Sequence, residues 1–167
     1  MDPEAEFAEL FAALWPRLYR MAVAVAGDRG AAEDAVQAAF AKAYAAWPRV
    51  RRADHVEAYL RRMVVNEVLG ARRAGWFRRE RPHENVDPGR VALAHDDAVA
   101  ERDAVWGAVQ ALPARQRAVI VLRYYEDLSE EQIASALGCS RGTVKSQASA
   151  ALANLRRAGA TIEGDEG

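Results

Sequence analysis

The 167-residue chain is long enough for one ordinary domain or two small ones. Its 23 Lys and Arg against 24 Asp and Glu leave a net charge of −1, so total charge alone identifies no polyanionic partner. The single cysteine, Cys139, excludes a disulfide framework and a Cys-based zinc site, and no stretch has the apolar length of a membrane span. The distribution of charge says more: net −3 over 1–48, +6 over 49–82, −4 over 83–103, +3 over 104–157 and −3 over 158–167. Two basic blocks separated by an acidic one predict two polyanion-facing surfaces on separate bodies. The acidic N-terminus lacks a basic region followed by an apolar core, so no secretory signal is expected and the predicted location is cytoplasmic.

Residues 1–6 are expected to fray. Phe7, Leu10, Phe11, Leu14, Leu18, Met21, Ala22 and Val25 then recur at helical spacing, with Pro16 predicted to kink or restart the helix. Gly27-Asp28 reads as a stop followed by a cap. The next helix is predicted over Ala31–Trp47, with Ala32, Ala35, Val36, Ala39, Phe40, Ala43, Tyr44 and Trp47 on one face. Glu33 and Asp34 are expected in its first turn, where the helix dipole favours negative charge. Pro48–Glu57 breaks the pattern and reads as a basic loop. A helix over Ala58–Arg73 follows, with Tyr59, Leu60, Met63, Val64 and Val68 inward and Arg61, Arg62, Asn66, Arg72 and Arg73 accessible.

From Gly75 to about Asp97, Pro82, Pro88, Gly89 and an acidic surplus read as a linker, whose Trp76 and Phe77 are expected to pack back on the first body. The second body opens with a helix outlined by Val99, Val105, Trp106, Val109 and Leu112. Leu112-Pro113 ends it and starts another that carries Val119, Ile120 and Leu122. Ser129 then caps a short helix with Gln132 as capping-box partner, and Ile133, Ala134 and Leu137 share its inner face. Gly138 suits a left-handed helix end, Cys139 fills the turn, and Ser140 caps a second helix whose inward stripe is Val144, Ala148, Ala151, Leu152 and Leu155. Arg141, Gly142, Thr143, Lys145, Ser146 and Ser149 are left at its outer N-terminal end. Small polar side chains there allow close approach to a major groove, and Arg141 and Lys145 reach phosphates or guanine edges. On spacing alone, an ordinary packed helical hairpin is an equal reading. Residues 158–167 are expected to be disordered.

The runs Leu112-Pro113-Ala114-Arg115-Gln116-Arg117, Arg123-Tyr124-Tyr125-Glu126-Asp127-Leu128-Ser129 and Gly142-Thr143-Val144-Lys145-Ser146 decide between these readings. At these spacings they closely resemble region 4 of the bacterial sigma-70 family. Gly27-Asp28, Ala32-Glu33-Asp34-Ala35-Val36-Gln37 and Phe40-Ala41-Lys42-Ala43-Tyr44 resemble region 2.2, and Pro48–Arg73 resembles regions 2.3 and 2.4. There is no room for regions 1.1 and 3, which points to the compact extracytoplasmic-function (ECF) group. The run through Gln147 resembles its SigE-like branch. Ala38 stands where the family usually has Glu, and Ala150 where many relatives have Arg.

The resemblance implies an all-α chain: a region 2 body over 7–74, a linker over 75–97, a region 4 body over 98–157 and a tail over 158–167. It implies core RNA polymerase as a partner, contacted through Asp34, Gln37 and Ala41. Promoter DNA is the other partner, its −35 element read as duplex by the Arg141–Ser149 set. The melted −10 strand is taken by Arg51, Arg52, His55, Arg61, Arg62, Asn66, Arg72 and Arg73, where unstacked bases are read on exposed edges. The linker also allows for an anti-sigma factor. No cofactor, metal or covalent chemistry is implied. Two other classes remain: a stand-alone helix-turn-helix regulator, which explains only the C-terminal half, and an all-helical enzyme. Against the enzyme, His55, His83 and His95 are scattered and no phosphate loop or nucleophile–base set is present.

Overall fold

The computed structural model describes residues 2–78 and 97–162, with the side chains of 71–78 and 97–99 outside that description. Most of the predicted linker and residues 163–167 of the predicted tail therefore lie outside the described residues, as do the Trp76 and Phe77 side chains. The chain divides into two compact units, Met1–Pro88 and Gly89–Gly167. The described parts of both are built from helices.

In the first unit, α1 spans Pro3–Ala26, α2 Arg29–Ala45, α3 Trp47–Val50 and α4 Val56–Arg78. The N-terminus does not fray at residue 6. Asp2 caps α1 by accepting the Glu4 amide at 3.4 Å, and Pro3 sits where a missing N–H costs nothing. Pro16 neither ends nor restarts α1, which is continuous through it. Tertiary packing outweighs the roughly 3 kcal/mol penalty of an interior proline. Beyond Pro16, Leu18 and every residue of Met21–Ala26 are buried; before it, Phe7, Phe11 and Trp15 lie against Phe40 and Phe7 also against Trp47.

Gly27 ends α1 at φ 74°, and Asp28 caps α2 by accepting from Gly30 at 3.1 Å and Ala31 at 3.4 Å. That cap starts α2 two residues earlier than predicted. Glu33 and Asp34 consequently fall in its second turn, where the dipole contributes little. α2 is the centre of the unit, packing on both α1 and α4 through Ala32, Ala35, Val36, Ala39, Phe40 and Ala43. Its alanines let the neighbouring helices approach closely. The predicted basic loop is half helical: Pro48–Val50 belong to the single turn of α3, in which Trp47 and Val50 are buried, and a loop over 51–55 separates it from α4. α4 buries Leu60, Val64, Val65 and Val68, so Val65 joins the inward set.

In the second unit, α5 spans Asp97–Gln110, α6 Ala114–Ile120, α7 Glu130–Leu137 and α8 Arg141–Arg157. Pro113 precedes α6 as expected of a residue without a donor. α6 widens into a π-helical turn over Val121–Tyr125, closed by Glu126 N–H to the Val121 carbonyl at 3.1 Å. Arg117 through Leu122 are six consecutive buried residues, more than one helix face can supply. They are enclosed because α6 packs on both α5 and α8 while the π turn packs on α7. α8 does not end in disorder at 158. The Ala160 amide returns to the Leu155 carbonyl at 2.9 Å and Gly159 to Arg156 at 3.0 Å, a Schellman closure that buries Ala160.

α7 and α8 meet at Gly138, which has φ 65° and nothing within 4 Å of where a Cβ would stand. Gly138→Ala therefore adds backbone strain without a clash. It is expected to cost about 1–2 kcal/mol, read as a lowered urea midpoint, with Gly138→Asn losing less.

Candidate nucleic-acid interface

The hairpin frame is set by its caps. Ser129 accepts the Gln132 amide at 3.1 Å while the Gln132 carboxamide accepts the Ser129 amide at 2.9 Å, completing the capping box. Cys139 donates its amide to Ala134 at 3.1 Å, and Ser140 Oγ accepts the Thr143 amide at 3.1 Å. The Ser129 box fixes where α7 begins, and the Ser140 cap fixes where α8 begins and hence which residues of its first turns face outward.

Val144, Ala148, Ala151 and Leu155 are buried, whereas Leu152 is only half-buried. On the opposite side Arg141, Gly142, Lys145, Ser146 and Ser149 are exposed, and Thr143 is half-buried. All six residues predicted to face duplex DNA thus lie on one end of one helix. Their polar groups are not equally available. The Thr143 hydroxyl shares a hydrogen bond with Ser140 Oγ at 3.0 Å, and Ser146 Oγ donates to the Gly142 carbonyl at 3.0 Å, retaining its lone pairs to accept. Arg141 and Lys145 are each 64% exposed in their side chains and each lie 3.9 Å from the same oxygen of Glu130.

α8 is held on α6 by a polar bridge: Asn154 donates to Gln116 at 2.8 Å and accepts from Arg157 at 2.6 Å. Arg117, 3% exposed, donates to the Gln110 carbonyl at 2.7 Å and so ties α6 to the last turn of α5. Tyr125 stands edge-on to Trp106 at 6.0 Å, and its partial burial raises the phenol above its ordinary pKa.

In the first unit, Arg51, Arg52, His55, Arg62 and Asn66 are exposed. Arg51 pairs with Glu6 at 2.8 Å. Arg61 does not remain accessible: its side chain is 12% exposed and lies 3.6 Å from Glu57, which also pairs with Arg17 at 2.7 Å. Arg61 therefore braces the start of α4. Arg72 and Arg73 lie on the α4 backbone, their side chains outside the described residues. Asn66 stands ten residues beyond the start of α4, roughly 15 Å along the axis. Arg62 and Asn66, one turn apart, form an exposed stripe on α4.

Asp34, Gln37 and Ala41 are all exposed on the outer side of α2. Gln37 donates to Glu33 at 3.3 Å. Beside them is an open groove of about 490 Å³ lined by Phe7, Phe11, Trp15, Gln37, Phe40, Ala41 and Tyr44. The sequence pattern assigned Phe11 and Tyr44 to the core, yet they are 37% and 50% exposed. Helical spacing identifies a shared face but not whether the chain itself covers all of it. The proximity of Glu130 to Arg141 and Lys145 also escaped the sequence, since the hairpin turn brings together residues more than ten positions apart. Lys42 pairs with Glu67 across α2 and α4. Among the described residues no group of three His, Cys, Asp or Glu is arranged to hold a metal, and no described helix is long and apolar enough to cross a membrane.

Residues 10–78 match the family described as Sigma-70 region 2, and residues 102–155 match Sigma-70, region 4. The RNA polymerase sigma-E factor of Streptomyces coelicolor is 35% identical over 159 residues, covering 93% of this chain and 87% of that one. The sigma-E factor of Streptomyces antibioticus is 36% identical over 155 residues, 90% of this chain and 83% of that one. The ECF RNA polymerase sigma factor SigL of Mycobacterium tuberculosis is 33% identical, covering 83% of this chain and 80% of its own. Among solved structures, sigma factor RpoE of Bartonella quintana, in complex with the anti-sigma factor NepR, has a TM-score of 0.72 at 25% identity over 92% of this chain and 96% of its own. CnrH, in complex with the cytosolic domain of CnrY, shares the fold at a TM-score of 0.61 and 22% identity, over 92% of this chain and 87% of that one.

Proposed function

Because the chain belongs to the sigma-70 family of RNA polymerase sigma factors, within its extracytoplasmic-function group, we propose that three of its surfaces divide the work of promoter-specific initiation. As a sigma factor it binds core polymerase and promoter DNA and is not an enzyme. The region 2 body, over 7–74, docks on polymerase with the Asp34, Gln37 and Ala41 face of α2. Arg51, Arg52, His55, Arg62, Asn66, Arg72 and Arg73 take the melted −10 strand. The region 4 body, over 98–157, reads the −35 duplex with the first turns of α8, and 75–97 links the two. One observation carries the −35 assignment: Arg141, Lys145, Ser146 and Ser149 stand exposed on the end of α8 whose opposite face is buried.

The site of action is the cytoplasm, where the polymerase works. An anti-sigma factor is a further proposed partner, a reading supported by the complexes in which RpoE and CnrH were solved. Co-purification from the native cell reports polymerase and such an inhibitor together. Run-off transcription with sigma-free core polymerase on sheared native DNA tests the whole proposal. Discrete transcripts requiring both components support it; tight duplex binding without any polymerase association would favour a stand-alone regulator. Lys145→Ala is expected to weaken −35 duplex binding by about 1–3 kcal/mol and to lower the salt slope by about 1, while polymerase binding is unchanged.

A further inference from the structure

The hairpin places one carboxylate among its cations. Glu130, the first residue of α7, has its Oε2 3.9 Å from Arg141 Nη2 and 3.9 Å from Lys145 Nζ. Those cations are one helical turn apart, a spacing at which like charges repel. A shared carboxylate relieves that repulsion. The Glu130 side chain is 27% exposed against 64% for each cation, so it is the more sheltered member of the trio, and the cations stay open to an incoming phosphate.

We propose that Glu130 is an electrostatic brake on duplex binding, acting through Arg141 and Lys145. The proposal rests on the reading of α8 as the duplex-facing helix. In the free protein the carboxylate stabilises the two cations; beside DNA it opposes the phosphates that approach them. A group alters a binding equilibrium only through such a difference between the two states, and here both terms favour the free protein. The phosphate contribution is independent of sequence, so a brake on it weakens binding to all duplexes and leaves base contacts to discriminate promoters.

The test uses the full chain and a short labelled duplex of random sequence, with anisotropy measured across a salt series. Glu130→Gln keeps the side-chain shape and removes the charge. It is expected to bind about three- to tenfold tighter at low salt, the range that two exposed ion pairs allow. Its salt dependence should steepen, and the gain should shrink when Lys145→Ala is combined with it. Equal or weaker binding by Glu130→Gln, while Lys145→Ala alone weakens binding, overturns the brake and leaves the duplex-facing reading intact. The same fold gain with and without Lys145 also overturns it, since the carboxylate would then act without those cations. If Lys145→Ala alone has no effect, the duplex-facing reading fails and the brake fails with it.

Discussion

Arg117→Ala is expected to destabilise the second unit by about 3–4 kcal/mol, the sum of a buried cavity and an abandoned carbonyl. The side chain is 3% exposed and its guanidinium donates to the Gln110 carbonyl at 2.7 Å. That carbonyl belongs to the last turn of α5, which lacks intrahelical donors for its final carbonyls. A buried arginine is therefore supplying the C-terminal closure of one helix from the body of another. Removing it leaves the carbonyl without this donor and opens space where the buried side chain stood. Arg117→Met separates the two contributions: it restores most of the volume but no donor, so it should recover only part of the loss. Urea unfolding followed by circular dichroism reads the difference. Duplex binding should fall with the folded fraction, while polymerase binding through the first unit persists. A loss below about 1 kcal/mol in Arg117→Ala would show that the guanidinium is dispensable to this packing.

What the sequence made legible was whatever short-range chemistry controls. Asp28, Ser129 and Ser140 are capping side chains at short range, and the glycines at 27 and 138 occupy left-handed positions whose need is local. The inner faces of α2, α7 and α8 followed from periodicity for the same reason. The errors arose where distant contacts overrode local preference. Pro16 was expected to kink or restart α1, but the helix does not restart there: the packing of Leu18 and Met21–Ala26 on one side and the aromatic cluster on the other carries it through. Pro48 was read as loop, although it sits at the start of the α3 turn, where a proline is well suited.

For the candidate sites the division is similar. The outer residues of α8 were identified because a capped helix with a buried stripe determines its opposite face. Arg61 was misplaced because counting around a helix cannot show that Glu57 and the surrounding chain shelter a guanidinium to 12% exposure. An arginine in a basic run is thus not equivalent to its neighbours: Arg62, one residue on, is exposed, and of this adjacent pair it is the one that stays open to phosphate contact. The aromatic groove and the Glu130 trio were illegible for a related reason, since each depends on two helices meeting.

Asp34→Arg is expected to reduce affinity for core polymerase by more than tenfold while leaving the fold and duplex binding intact. α2 commits its inner face to the unit through Ala32, Ala35, Val36, Ala39, Phe40 and Ala43, so its outer residues contribute little to folding. Asp34, Gln37 and Ala41 stand on that outer side, where the small Ala41 permits close approach of a partner helix. The adjoining groove between α1 and α2, walled by Phe7, Phe11, Trp15, Phe40 and Tyr44, supplies apolar area beside the polar contacts. Such an arrangement, an apolar centre with a charged rim, is how a docking surface combines affinity with orientation. Reversing a rim charge replaces attraction with like-charge repulsion, which costs several kcal/mol at a complementary interface. A surface substitution away from any packing feature alters stability by only about 0.5 kcal/mol. Glu9→Arg, at an exposed position of α1, makes the same change in net charge and is the control. Fluorescence titration with sigma-free core polymerase should therefore separate the two variants. Equal weakening by both would assign the effect to overall charge, and unchanged binding by Asp34→Arg would remove α2's outer face from the polymerase contact.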